Sequence, residues 1–148
     1  MNERCRVLIC DDHAEFRHLV KDVLKRTPSV EIIGEAGNGR EVVDMALRLL
    51  PDIVLMDLSM PELTGLEATR RIRKASKRIK VLIVSAFAGE DMVSPCLRAG
   101  ASGFFQKYHL LSELNQAIDA VWKGRTYLSP RVFEKVSRAG GSTFSGSY

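Results

Sequence analysis

VLICDDH, residues 7–13, joins a short apolar run to two adjacent carboxylates, Asp11 and Asp12. The same arrangement recurs twice along the chain: DIVLM runs up to Asp57, and GFFQ runs up to Lys107. Apolar runs of this length read as strands buried on both faces of a parallel sheet, and in such sheets ligands bind just beyond the carboxyl ends of the strands. Three carboxylates and one lysine are therefore expected to converge on one crevice. Carboxylates packed together repel, so the crevice wants a divalent cation with oxygen ligands. The same arrangement suits an aspartate that accepts a phosphoryl group.

Working outward, short apolar runs alternate with segments of helical period. The predicted strands are Val7–Cys10, Glu31–Glu35, Ile53–Met56, Val81–Val84 and Gly103–Gln106. Phe16, Leu19, Val20, Val23 and Leu24 follow helical spacing, as do Val43, Ala46, Leu47 and Leu50. Leu66, Thr69 and Ile72 mark a third helix, and Leu114, Ile118, Val121 and Trp122 the last, with Gly124 as its stop. Strict β–α alternation implies a parallel sheet with helices on both faces. The fourth helix is the weak one, because Ser94-Pro95 falls inside Glu90–Ala99. Proline inside a helix removes a hydrogen bond. The expected solution is Ser94 as N-cap with Pro95 in the first helical position, and a short, kinked or frayed start.

The chain has 148 residues, 45% of them hydrophobic, which is enough for one domain with a proper core. Nothing in it reads as a membrane span or a signal peptide. Cys5, Cys10 and Cys96 lack metal or redox spacing, which points to reduced thiols and a cytoplasmic home. The net charge of +4 permits an acidic partner without requiring one. After Leu128, Pro130–Ala139 reads as one short helix with Val132, Phe133 and Val136 as its apolar face. The Gly/Ser-rich GGSTFSGSY then reads as a flexible tail, and this remainder is too short for a second domain.

In VLICDDH, VEIIGEAGNGREVVD, PDIVLMDLSMPELTGLEATRRIR, VLIVSA and AGASGFFQK the chain resembles a bacterial response-regulator receiver domain. The DDH, GEAGNG and WKGRTYLSP segments are most similar to its NarL/FixJ (LuxR-type) branch. The resemblance implies a flavodoxin-like (βα)5 three-layer sandwich, with a five-stranded parallel sheet in the order 2-1-3-4-5. It implies a receiver domain over 1–128 and a linker helix and tail over 129–148. Asp57 would be the phosphoacceptor, taking its phosphoryl group from a sensor histidine kinase. Asp11, Asp12, Asp57 and the backbone carbonyl of Ser59 would hold Mg2+. Lys107, Ser85 and Ala86 would meet the phosphoryl group, and Ser85 with Phe104 would form the switch.

The same resemblance implies a homodimer on phosphorylation and DNA contact only through a C-terminal domain outside this chain, with no membrane role and no enzymatic turnover of a separate substrate. Three positions depart from the family's commoner pattern: Phe104 replaces a tyrosine and so lacks a phenolic hydroxyl, Tyr108 replaces a proline, and Pro95 sits in the fourth helix.

Other readings are weaker. An aspartate-nucleophile phosphatase usually carries an acid two residues after the nucleophile, where this chain has Ser59. A flavin-binding protein of this fold would find Asp11-Asp12 repelling the flavin phosphate. A stand-alone receiver acting through protein contacts stays open. The basic run Arg70–Lys80 reads as a solvated helix face, with a nucleic-acid patch as the alternative that its lack of interleaved aromatics disfavours. His13, His18 and His109 share no metal-ligand spacing.

Overall fold

The computed structural model describes residues 3–86 and 90–138. Its strands are β1 (Cys5–Cys10), β2 (Val30–Ala36), β3 (Ile53–Met56), β4 (Lys80–Ser85), β5 (Gly103–Gln106) and β6 (Tyr127–Leu128). The helices are α1 (Ala14–Leu24), α2 (Gly39–Leu49), α3 (Gly65–Ala75), α4 (Glu90–Arg98), α5 (Leu110–Trp122) and α6 (Pro130–Arg138). All strand pairs are parallel, in the order β2-β1-β3-β4-β5-β6. The expected five-strand order is present and a sixth strand extends it. Two residues, Tyr127 and Leu128, pair with Gly103 and Phe104. Their signal is too short for any periodicity to register.

Alternate residues along each strand face opposite sides, and the two apolar cores follow that alternation. Leu8, Val54, Met56, Ile83 and Phe104 pack with Val42, Ile72, Val93 and Val132, which come from α2, α3, α4 and α6. Val7, Ile9, Leu55, Val84 and Phe105 pack with Val20, Leu114, Ile118 and Val121 from α1 and α5. The molecule is thus a three-layer sandwich of flavodoxin-like form. Among the described residues no helix is long and apolar enough to cross a membrane.

Two helices carry their own start signals. Asn38 accepts from the Glu41 amide at 2.8 Å while Glu41 accepts from the Gly37 amide at 2.6 Å, a reciprocal cap. Thr64 accepts from the Glu67 amide at the start of α3.

Two sequence expectations need correction. Helix α4 begins by Glu90, so Pro95 lies inside it rather than at its first position; Val93 and Cys96, both fully buried, anchor a helix that local preference would have shortened. In α2 the buried residues are Val42 and Ala46, whereas Leu47 and Leu50 are 41% and 59% exposed, because the helix is rotated toward β2 and α3. The expected C-terminal helix is present over Pro130–Arg138, with Val132 fully buried and Phe133 partly buried, and Ala139 lies outside the described residues. The side chain of Val136 and the tail GGSTFSGSY lie outside the described residues.

Candidate functional site

Strand register brings the site together before any side chain is considered. Cys10 pairs with Met56, and the Asp57 amide donates to the Cys10 carbonyl at 3.0 Å, so Asp11 and Asp57 leave the sheet side by side. On the far side Ser85 pairs with Gln106, which places Ser85 next to the strand that ends at Lys107. Gly65 opens α3 directly over this corner. A Cβ there would lie 2.0 Å from the Asp57 carbonyl oxygen, so only glycine lets the helix start so close.

Lys107 spans two of the carboxylates. Its Nζ lies 2.5 Å from Asp11 Oδ2 and 3.4 Å from Asp57 Oδ1. Asp11 is fully buried and Asp57 is 5% exposed. The Lys107–Asp11 contact is an ion pair whose approach is not aligned as a hydrogen bond, so Asp11 Oδ2 remains a buried oxygen with no directed donor. Burial pushes the Asp57 carboxyl up to about 6; the neighbouring Asp11 adds to the rise and Lys107 opposes it. Such a pocket holds more negative charge than one lysine balances, and its exposed side is hard oxygen. That donor set fits a hard divalent cation.

Asp12 is exposed beside the pair, as are Ser59 after β3 and Ala86 after β4. Ser85 is 3% exposed at the end of β4. The structure therefore gathers Asp11, Asp57 and Lys107 in direct contact, sets Asp12 on the rim, and aligns Ser85 through the sheet. Phe104 stands apart from these: it is fully buried in the core beneath α4 and α6.

Five residues around the site were not visible as such in the sequence. His13 Nδ1 lies 3.1 Å from Asp12 Oδ1 and 3.3 Å from Asp11 Oδ1, and its amide donates to Asp11 Oδ1 at 2.8 Å. Asp11, Asp12 and His13 thus form a compact group of possible ligands; the adjacent DDH triplet was the only signal. Phe16 places its ring 4.4 Å from Lys107 Nζ, a cation–π contact that steadies the ammonium. Arg17 donates from Nη1 to the Asp11 carbonyl at 2.6 Å and from Nε to Glu35 Oε1 at 3.0 Å. Glu35 also accepts from Lys21 at 2.8 Å, and hydrogen bonding by that lysine holds its carboxyl below the usual range. Phe16 reads in the sequence as an ordinary member of an amphipathic helix, and Arg17 carries no pattern of its own.

Known proteins resemble this chain in sequence and fold. The sequence profile of the response regulator receiver domain matches residues 7–119. The transcriptional regulatory protein LiaR of Bacillus subtilis is 38% identical over 131 residues, covering 88% of this chain and 62% of LiaR. The chain therefore spans less than two thirds of that relative. The chemotaxis protein CheY of Thermotoga maritima is 40% identical over 118 residues, covering 80% of this chain and 98% of CheY. Among solved structures, a LuxR-family two-component response regulator from Aurantimonas sp. SI85-9A1 superposes with a TM-score of 0.89 at 32% identity, covering 93% of this chain and 99% of that one.

Proposed function

The chain belongs to the response regulator receiver family, and from that premise we propose that Asp57 accepts a phosphoryl group from the phosphohistidine of a sensor kinase. The observation that carries this reading is the Lys107 ammonium held between Asp11 and Asp57 at the carboxyl end of the sheet. An Asp57 carboxylate oxygen attacks phosphorus. The new O–P bond forms as the phosphorus–nitrogen bond to the donor histidine breaks, and the imidazole leaves with the electron pair. Lys107 turns from Asp57 to an oxygen of the incoming group and offsets its charge. Ser85 donates its hydroxyl to another. The exposed, small Ala86 leaves the approach open.

Asp11, Asp12, Asp57 and the Ser59 carbonyl hold Mg2+ in this reading, and the bound ion supplies the positive charge that lets two anions meet. The protein is a phosphoacceptor that assists its own phosphorylation, not an enzyme with a separate substrate. Ser85 and Phe104 are the switch residues. Residues 1–128 act as the receiver domain, and residues 129–148 as linker helix and tail. The similarity to LiaR supports a role in transcription control, with homodimerisation on phosphorylation and DNA contact through a further domain. The match to nearly all of CheY supports a second reading, a receiver acting alone through protein contacts; the length of the natural gene product separates the two.

The primary test is intact-mass spectrometry after incubation with acetyl phosphate. A single phosphoryl increment that requires both Mg2+ and Asp57, and is absent in Asp57→Asn, is the expected result. No increment, under conditions that label another receiver, overturns the reading.

A further inference from the structure

The positive charge of this chain is not spread over its surface. Arg70–Lys80 carries seven of the 22 Lys and Arg residues and no acid; the other 15 basic and 18 acidic side chains leave the rest of the chain at −3. In the fold this run becomes the outer face of α3 and the loop into β4. Arg70, Arg71, Lys74, Lys77 and Arg78 are all exposed. Glu67 pairs with Arg70 and Arg71 at 3.2 and 3.4 Å. Among the described residues no carboxylate lies within ion-pair distance of Lys74, Lys77 or Arg78.

The loop that carries Lys77 and Arg78 is held in place. Arg73 turns inward from α3 and donates through Nη1 to the carbonyls of Lys77 at 2.7 Å and Ile79 at 2.8 Å. One cation of the run is thus spent on fixing the backbone that presents two others. Along α3 the helical rise sets Arg70 and Lys74 about 6 Å apart, and the clamped loop adds Lys77 and Arg78 just beyond the helix. Ile72 and Ile79, the large apolar residues of the run, are fully buried.

That composition narrows the partner. Protein interfaces draw their affinity from aromatic and other anchoring side chains in desolvated pockets, and this face offers no exposed aromatic or large aliphatic group. Single-stranded nucleic acids are bound by stacking on aromatic rings, which are absent here too. A cluster of exposed cations carried on a held backbone fits the phosphate backbone of a duplex, where affinity comes from counterion release. We propose that the outer face of α3 and the α3–β4 loop form a sequence-independent docking surface for duplex DNA. The choice of DNA as the polyanion rests on the proposed role in transcription control.

Lys74, Lys77 and Arg78 sit at the end of α3 and the loop beyond it, away from the Gly65 start of the helix over Asp57, so the two functions can be tested apart. The probe is a fluorescently labelled random duplex of about 30 base pairs, titrated with the full 148-residue chain at several salt concentrations. One variant combines Lys74→Glu, Lys77→Glu and Arg78→Glu. A second combines Lys25→Glu, Arg26→Glu and Arg125→Glu, three exposed residues elsewhere with the same total charge change. The wild type is expected to bind with a log–log salt slope of about −3 to −4, and the first variant to lose about tenfold or more in affinity with most of that slope. The second variant is expected to stay within about threefold of wild type. No binding at low salt, equal losses in both variants, or tighter binding of single-stranded than of duplex DNA each overturns the proposal. Acetyl phosphate labelling of Asp57 in the first variant is expected to match wild type. Labelling that fails in wild type as well counts against the phosphoacceptor reading and not against this surface.

Discussion

Asp57 carries a stability cost that its chemistry requires. Its carboxyl titrates near 6 in the fold and near 3.9 in an unfolded chain. Between those values the native state holds a proton that the unfolded state has released, so the contribution of Asp57 to stability is full below about pH 4 and is lost as pH rises through 6. The span corresponds to at most about 3 kcal/mol at neutral pH. In Mg2+-free buffer Asp57→Asn should therefore be more stable than wild type by about 1–3 kcal/mol at pH 7, with the gap closing toward pH 4. Urea denaturation at both pH values checks this, and an unchanged or lower midpoint for the variant at pH 7 would contradict it. Arg17 acts on the same pocket from behind, through the Asp11 carbonyl. Arg17→Ala should weaken Mg2+ binding several-fold in calorimetric titration while leaving the fold intact. Asp11, Asp12, Asp57 and Lys107 could be read directly from the chain because each follows an apolar strand. Arg17 and Phe16 could not, since their contacts depend on how α1 is angled across the sheet rather than on any spacing within it.

Helix α4 sets local preference against packing. Pro95 leaves the Asp91 carbonyl without its helical donor, yet Val93 and Cys96 on either side are fully buried and hold the turn in place. Replacing Pro95 with alanine restores that donor, and the expected gain is about 1 kcal/mol after the lost ring contacts; thermal unfolding reads it directly. A result of the opposite sign would mean that the ring's packing outweighs the missing bond. Gly65→Ala should act in reverse. Its Cβ would meet the Asp57 carbonyl oxygen, so α3 must retreat from the site, at a cost of about 2 kcal/mol or more and with slower phosphoryl uptake in a timed labelling assay. The same contest between levels explains what the sequence concealed among the elements. Periodicity located α1, α2, α3 and α5, but it pointed to Leu47 and Leu50 as core while the fold buried Val42. The apolar pattern of α2 is broad enough to admit either rotation, and contact with β2 and α3 chose one.

For the molecule as a whole, the C-terminal segment decides which side of the sheet is closed. Strand β6 covers the edge of β5, and α6 crosses to α4 over Phe104. The order β2-β1-β3-β4-β5 follows from the alternation of runs together with the family resemblance, whereas this closing segment depends on long-range packing that a two-residue strand cannot announce. Removing residues 129–148 should uncover the Phe104 side of the core and forfeit the burial of Val132, worth about 1.5–3 kcal/mol. Urea unfolding of the shortened chain measures that loss, and an unchanged midpoint would show that α6 rests on the surface without supporting it. Because α6 packs against α4, it works like a pointer resting on its neighbour: a tilt of α4 too small to register beside the sheet is carried along α6 and grows toward its far end. Dyes placed on the exposed Ser137 and on α1 would then report the state of Asp57 without touching the pocket.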